Sequence, residues 1–129
     1  MMWVILMNKV EITIWGRDFE LDVFYQNYPG EEVSDNQLET FKRIMNADYY
    51  GSEDEVKKYI RDNYESELNG DSINNIFRLV MPKSIVIPRV ESPRVFAVMC
   101  DFKLDIEHGM AVVFEDEKLI DIGPQDIAL

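Results

Sequence analysis

The one histidine of the chain, His108, sits in the run Asp105-Ile106-Glu107-His108-Gly109, and the chain closes through Gly123-Pro124-Gln125-Asp126. Imidazole beside carboxylate is the raw material of proton transfer and of metal binding. A zinc site needs three or four ligands at a recognised spacing, and a calcium loop needs a twelve-residue pattern. Asp101, Asp105, Glu107, His108 and Asp126 follow neither. No Ser, Cys or Lys is placed by a motif to act as nucleophile beside His108. These residues read instead as turn chemistry: Gly109 supplies a positive φ, His108 bonds a neighbouring carboxylate or carbonyl, and the next strand is launched. Gly123, Pro124, Gln125 and Asp126 read as a second turn that folds Ile127 and Leu129 back onto the core. The sequence assigns no catalytic residue, no cofactor and no metal.

The elements that hold these turns follow from hydrophobic periodicity. Val10 to Ile14 and Phe19 to Val23 alternate apolar and polar, with Gly16-Arg17 near the join, which predicts a hairpin with one face to be covered. After a turn at Tyr28-Pro29-Gly30, Ser34 and Gln37 form a capping-box pair, and Leu38, Phe41, Ile44 and Met45 recur at helical spacing toward Tyr49. Ser52 and Glu55 repeat the capping spacing. They predict a second helix with Val56, Tyr59, Ile60 and Tyr64 inward, stopped by Gly70. Asp71 or Ser72 is expected to cap a short third helix through Ile73, Ile76, Phe77 and Val80, ended by Pro82.

From Lys83 the period becomes that of strands. Residues 84–87 form one strand closed by Pro88, and the run 94–102, apolar on both faces, reads as the central strand. Met110 to Phe114 and Leu119 to Ile122 follow, joined by the charged turn Glu115-Asp116-Glu117-Lys118. The expected fold is one α+β domain over residues 1–129. Its antiparallel sheet has about five to six strands in the order ββ-ααα-ββββ, backed on one face by two or three helices.

Net charge separates partner classes. The chain carries −12 in 129 residues, and residues 31–70 and 101–129 each contribute −6, while 71–100 run to +2. Such a field disfavours nucleic acid and anionic membranes, whose phosphates need a basic surface. With 47% hydrophobic residues the composition is that of a folded chain. The lone Cys100 lies in an apolar run, as a buried thiol in a reducing compartment does. The opening Met1 to Met7 is apolar, yet too short to span a bilayer and without the basic flank of a signal peptide. A cytoplasmic location is expected, with that start serving as an edge strand or a homodimer contact.

The span from Val95 to Leu129, with its Asp-x-Glu-His-Gly turn, charged hairpin and terminal Gly-Pro-Gln-Asp, resembles a family of small bacterial domains of unknown function. The Trp15-Gly16 hairpin and the acidic helical middle are similar in order. The resemblance implies a stand-alone cytoplasmic domain and carries over no activity and no catalytic assignment for His108. In size, charge and architecture the chain also resembles immunity proteins of bacterial toxin systems.

Two functions remain. The first is a non-enzymatic protein-binding module, most concretely an immunity protein that neutralises a basic toxin. Glu31, Glu32, Glu53, Asp54, Glu55, Glu115, Asp116 and Glu117 would then be rim charges that raise the association rate, and Tyr49, Tyr50 or Trp3 would be anchors. The second is a small enzyme or metal-dependent hydrolase using His108 and nearby carboxylates.

Overall fold

A computed structural model of the chain describes residues 4–129, with side chains described from Asn8 onward. Trp3 and the side chains of the apolar start lie outside the described residues. Six strands form one sheet: β1 (Val4–Ile14), β2 (Arg17–Asn27), β3 (Val80–Pro88), β4 (Val95–Phe102), β5 (Met110–Glu115) and β6 (Lys118–Gly123), lying side by side in chain order. Three helices, α1 (Asp35–Arg43), α2 (Tyr49–Asn63) and α3 (Glu65–Leu68), intervene between β2 and β3. The α+β class holds.

One pairing departs from the antiparallel expectation: β2 and β3 are parallel, with Val23 opposite Ile85. The physical reason is the long connection. A tight turn returns a strand antiparallel, whereas a crossover through helices brings the chain back to the same end of the sheet. Gln37 ties this parallel pair. Its side-chain amide donates to the carbonyls of Ile87 at 3.2 Å and Gln26 at 3.4 Å, while its Oε1 accepts from the Ser34 N–H at 2.9 Å to complete the capping box.

Both tight hairpins turn on two residues of positive φ, the geometry that matches the twist of the flanking strands. Trp15 and Gly16 join β1 to β2 at φ 50° and 81°, and Asp116 and Glu117 join β5 to β6 at 48° and 67°. In the first hairpin Val10 faces Leu21 and Ile12 faces Phe19, so alternate side chains reach one covered face. That face also carries Phe96, Val98, Cys100 and Phe102 of β4, and Met110, Val112 and Phe114 of β5. Lys83 is the extra residue of a bulge: Pro82 pairs with Cys100 and Ser84 with Met99, so the inward parity of β3 changes from Val80 and Pro82 to Ile85 and Ile87.

The helical region differs from expectation in four places. The first helix ends at Arg43 and continues only as a 3-10 turn (Ile44–Asn46). Gln37, Thr40 and Ile44 face inward, leaving Leu38 and Met45 exposed. The second helix is capped by Asp48, whose Oδ1 accepts from the Gly51 N–H at 2.8 Å, and not by Ser52 with Glu55. Starting there puts Tyr49 into the core, edge-on to Phe114 at 5.3 Å between ring centroids, with its hydroxyl donating to the Ile44 carbonyl at 2.8 Å. Ser52 lies one turn inside the helix, where it accepts from the Trp15 indole N–H at 2.9 Å and donates to the Tyr49 carbonyl at 2.6 Å. The helix ends at Asn63, and a separate turn, α3, ends on Asn69 in the left-handed region just before Gly70.

The expected third helix is a single 3-10 turn (Ile76–Arg78), and Pro82 stands inside β3. Pro82 lies at the bulge, one of the places where a strand tolerates a missing N–H.

Behind the sheet, a second small cluster of Val86, Ala97, Met99 and Ala111 is covered by Ala128 of a carboxyl-terminal 3-10 turn (Gln125–Ala128). This cover explains why β4 is apolar on both faces.

Candidate functional site

The turn Asp105 to Gly109 joins β4 to β5. Its backbone closes through Gly109 N–H to the Asp105 carbonyl at 2.9 Å, with Gly109 at φ 60°. Nδ1 of His108, carrying the proton, donates to Asp105 Oδ1 at 2.9 Å, and the His108 backbone N–H donates to the same oxygen at 3.3 Å. Asp105 also accepts from the Tyr64 hydroxyl at 3.3 Å, which ties the turn to the end of α2. The pair is mutually stabilising. The hydrogen bond and charge of Asp105 hold the His108 pKa above its ordinary value, with Glu107 and Asp126 adding to the effect, and the hydrogen bond from His108 holds the Asp105 carboxyl below its own. Burial, followed by the charges around it, pushes the Tyr64 hydroxyl up to about 12.

The closing turn locks onto this one. The Gln125 N–H donates to the His108 carbonyl at 2.9 Å, and the Gln125 side chain donates to the Cys100 carbonyl at 2.9 Å. A Cβ on residue 109 would stand 2.5 Å from Gln125 Nε2 and 2.9 Å from the Cys100 oxygen, so glycine is required there by space as well as by φ. At residue 123 a Cβ would meet Ile127 Cδ1 at 3.1 Å, and Pro124 precedes the final 3-10 turn. The tail returns to the sheet through Ala128, which packs on the second cluster, and not through Ile127 and Leu129, which are both exposed.

Of the remaining acids, Glu107 and Asp126 reach His108 through their charge alone. Asp101 faces Lys83 at 3.7 Å. Among the described residues no three His, Cys, Asp or Glu side chains gather as a ligand set. Cys100 is fully buried, and burial pushes its thiol pKa far up, which removes it as a nucleophile. What the arrangement does is orient an exposed imidazole, fastened to a carboxylate at the rim of the sheet and held more basic than usual by it.

The acidic groups assigned as rim charges separate into two kinds. Glu117 is largely buried and accepts both guanidinium contacts of Arg94 at 3.0 Å, while Asp116 Oδ1 accepts from the Arg94 N–H at 3.2 Å. Glu53 is paired with Lys57 at 3.0 Å, and Glu31 with Arg89 at 3.4 Å. Asp54 and Glu55 stand exposed on α2. The Asp48 N–H donates to the Glu117 carbonyl at 3.3 Å, which seats the start of α2 against the β5–β6 turn and brings the two acidic regions together. Of the aromatic anchors, Tyr50 is exposed, whereas Tyr49 is a core residue, its hydroxyl already used and its pKa raised by burial.

Motif spacing did not reveal the groove of about 710 Å³ between α2 and β6. Asp48, Glu55 and Asp62 line its helical wall, and Leu119, Ile120 and Ile122 its strand wall, with Asp121 beside them. The signal in the sequence is the seven-residue repeat of the three helical acids, which places them along one side of a helix. Among the described residues no helix is long and apolar enough to cross a membrane.

No curated protein and no solved structure matches the chain. The chain belongs to the DUF6985 family, a domain of unknown function whose pattern spans residues 2–129.

Proposed function

We propose that the chain is a non-enzymatic protein-binding module that neutralises a basic partner, most concretely an immunity protein for a basic toxin such as a nuclease. The observation that carries this reading is where the reactive groups are spent. His108 is fastened to Asp105, Cys100 is buried, and Glu117 is closed onto Arg94. Asp54, Glu55, Asp121 and Tyr50 remain on the surface around α2 and β6. Exposed charges of one sign speed encounter with a partner of the opposite sign, and an exposed aromatic among them supplies apolar contact.

The test is stopped-flow association with a panel of purified basic nuclease toxins at low and high salt. The expected result is tight binding of at least one member, with the triple variant Glu53→Lys, Asp54→Lys, Glu55→Lys slowing association about tenfold or more at low salt and much less at high salt. Association rates that are the same for variant and parent at both salts would refute the electrostatic reading.

A further inference from the structure

We propose that the groove between α2 and β6 receives an extended, lysine- or arginine-rich segment of the partner protein, added to β6 as a seventh strand. This deepens the protein-binding reading and rests on it.

Among the described residues the sheet ends at β6, so one side of that strand has no neighbouring strand. A sheet edge is a template for an incoming extended chain, with backbone hydrogen bonds giving affinity and alternate side chains giving selectivity. Within β6 the pairing shifts: Asp121 lies opposite Val113 and Leu119 opposite Phe114, leaving Ile120 as the extra residue. The bulge leaves Ile120 and Asp121 exposed, while Leu119 and Ile122 pack on the core.

The helix wall has the complementary charge. Asp48, Glu55 and Asp62 recur every seven residues, which spreads them over roughly 21 Å at 1.5 Å per residue. A six-residue strand spans roughly 20 Å at 3.3 Å per residue, so the acid line and β6 have the same length. Lys58, on the same wall, is already paired with Asp62, and Lys118 stands at one end of the groove. An entering strand would set basic side chains toward Glu55 and Asp121 and apolar ones against Ile120.

Asp121 couples the two recognitions. Its Oδ1 now accepts from the neighbouring Ile122 N–H at 2.9 Å. A docked strand would offer a carbonyl to that N–H and release the carboxylate to a cationic side chain. The edge is thereby protected when empty and becomes an acceptor for a basic segment when filled.

The test uses the isotopically labelled full chain and a blocked heptapeptide of alternating lysine and valine. Expected are chemical-shift changes centred on α2 and β6 and about tenfold slower hydrogen exchange at Ile120 and Ile122 when peptide is saturating. Affinity should fall about tenfold in Glu55→Lys and in Asp121→Lys, both exposed positions that leave the core intact. The same peptide N-methylated on alternate amides keeps its charge and loses its ladder, and its binding should be lost. Equal binding of the methylated peptide, shifts that map away from β6, or no binding of the parent peptide would each overturn the inference. The protein-binding reading is judged separately, by the toxin titration: a toxin bound at another surface overturns the groove and leaves the module standing.

Discussion

The side-chain amide of Gln125 donates to the backbone carbonyl of Cys100 at 2.9 Å, across the space that any side chain at residue 109 would occupy. Two turns far apart in function-like appearance, the histidine loop and the terminal Gly-Pro-Gln-Asp, are thus one bracket. It closes the β4–β5 end of the sheet and carries the tail that covers Ala97, Met99 and Ala111.

Gly109→Ala should therefore destabilise the fold through two separate costs, a left-handed φ and displacement of Gln125. Together these amount to about 2–4 kcal/mol. Gly70→Ala shares the positive φ, at 81°, but has nothing within 4 Å of the new Cβ. Its cost should be about 1 kcal/mol. Urea unfolding of both variants checks the difference, and equal losses would show that Gln125 gives way freely.

The Asp105–His108 pair predicts a pH-dependent contribution to stability. His108 has a raised pKa when folded, so its share is full below its ordinary value of 6.5 and is lost as pH rises through the folded value. Asp105 has a lowered pKa, so its share is full above its ordinary value of 3.8 and is lost as pH falls through the folded value. The Tm difference between the parent and His108→Gln should be widest between those two limits and narrow toward alkaline pH. A difference that is flat from acid to alkaline pH would exclude the ion pair as its source.

Ser52→Ala would leave the Trp15 indole N–H buried without its acceptor. The expected loss is about 1–3 kcal/mol, the desolvation cost of an orphaned donor. Unfolding followed by far-ultraviolet circular dichroism measures it without relying on the altered tryptophan. Ser52→Thr, which retains the hydroxyl, should recover part of the loss if the helix interior accommodates the methyl group.

Arg94 meets Glu117 in a two-pronged contact at 3.0 Å, on a carboxylate whose side chain is 15% exposed. Lys58 and Asp62 are 63% and 55% exposed. A double-mutant cycle should give the first pair the larger coupling energy, and added salt should weaken the second pair proportionally more. Like coupling energies for the two pairs would mean that the hairpin turn is set by its backbone alone.

Local pattern carried much of the fold. The alternation in Val10 to Ile14 and Phe19 to Val23, the Ser34–Gln37 capping box, the doubly apolar β4 and the turn role of Gly109 are properties of short segments. Short segments obey local sterics and periodicity whatever surrounds them. Ser52–Glu55 looked like a cap by the same rule and is not one. Tyr49 gains more by entering the core beside Phe96 and Phe114 than Ser52 gains by capping, so the helix is capped four residues earlier, at Asp48. Likewise Ile73 to Val80 has helical spacing, yet Val80 is taken into β3, where it pairs with Phe102.

The candidate site divides in the same way. Sequence alone determined that His108 sits in a glycine-ended turn among carboxylates, that the chain is strongly acidic and that its acids lie in two blocks. Only the tertiary structure decided which of those charges are available. Arg94 reaches Glu117 from 23 residues away, and the Asp48 N–H meets the Glu117 carbonyl from the start of α2. It also placed Asp48, the cap of α2, and Glu55 and Asp62 within that helix beside the open edge of β6. A residue's neighbours in sequence set its backbone conformation, whereas its partners in space set its desolvation and its free charge, and those are the quantities on which binding depends.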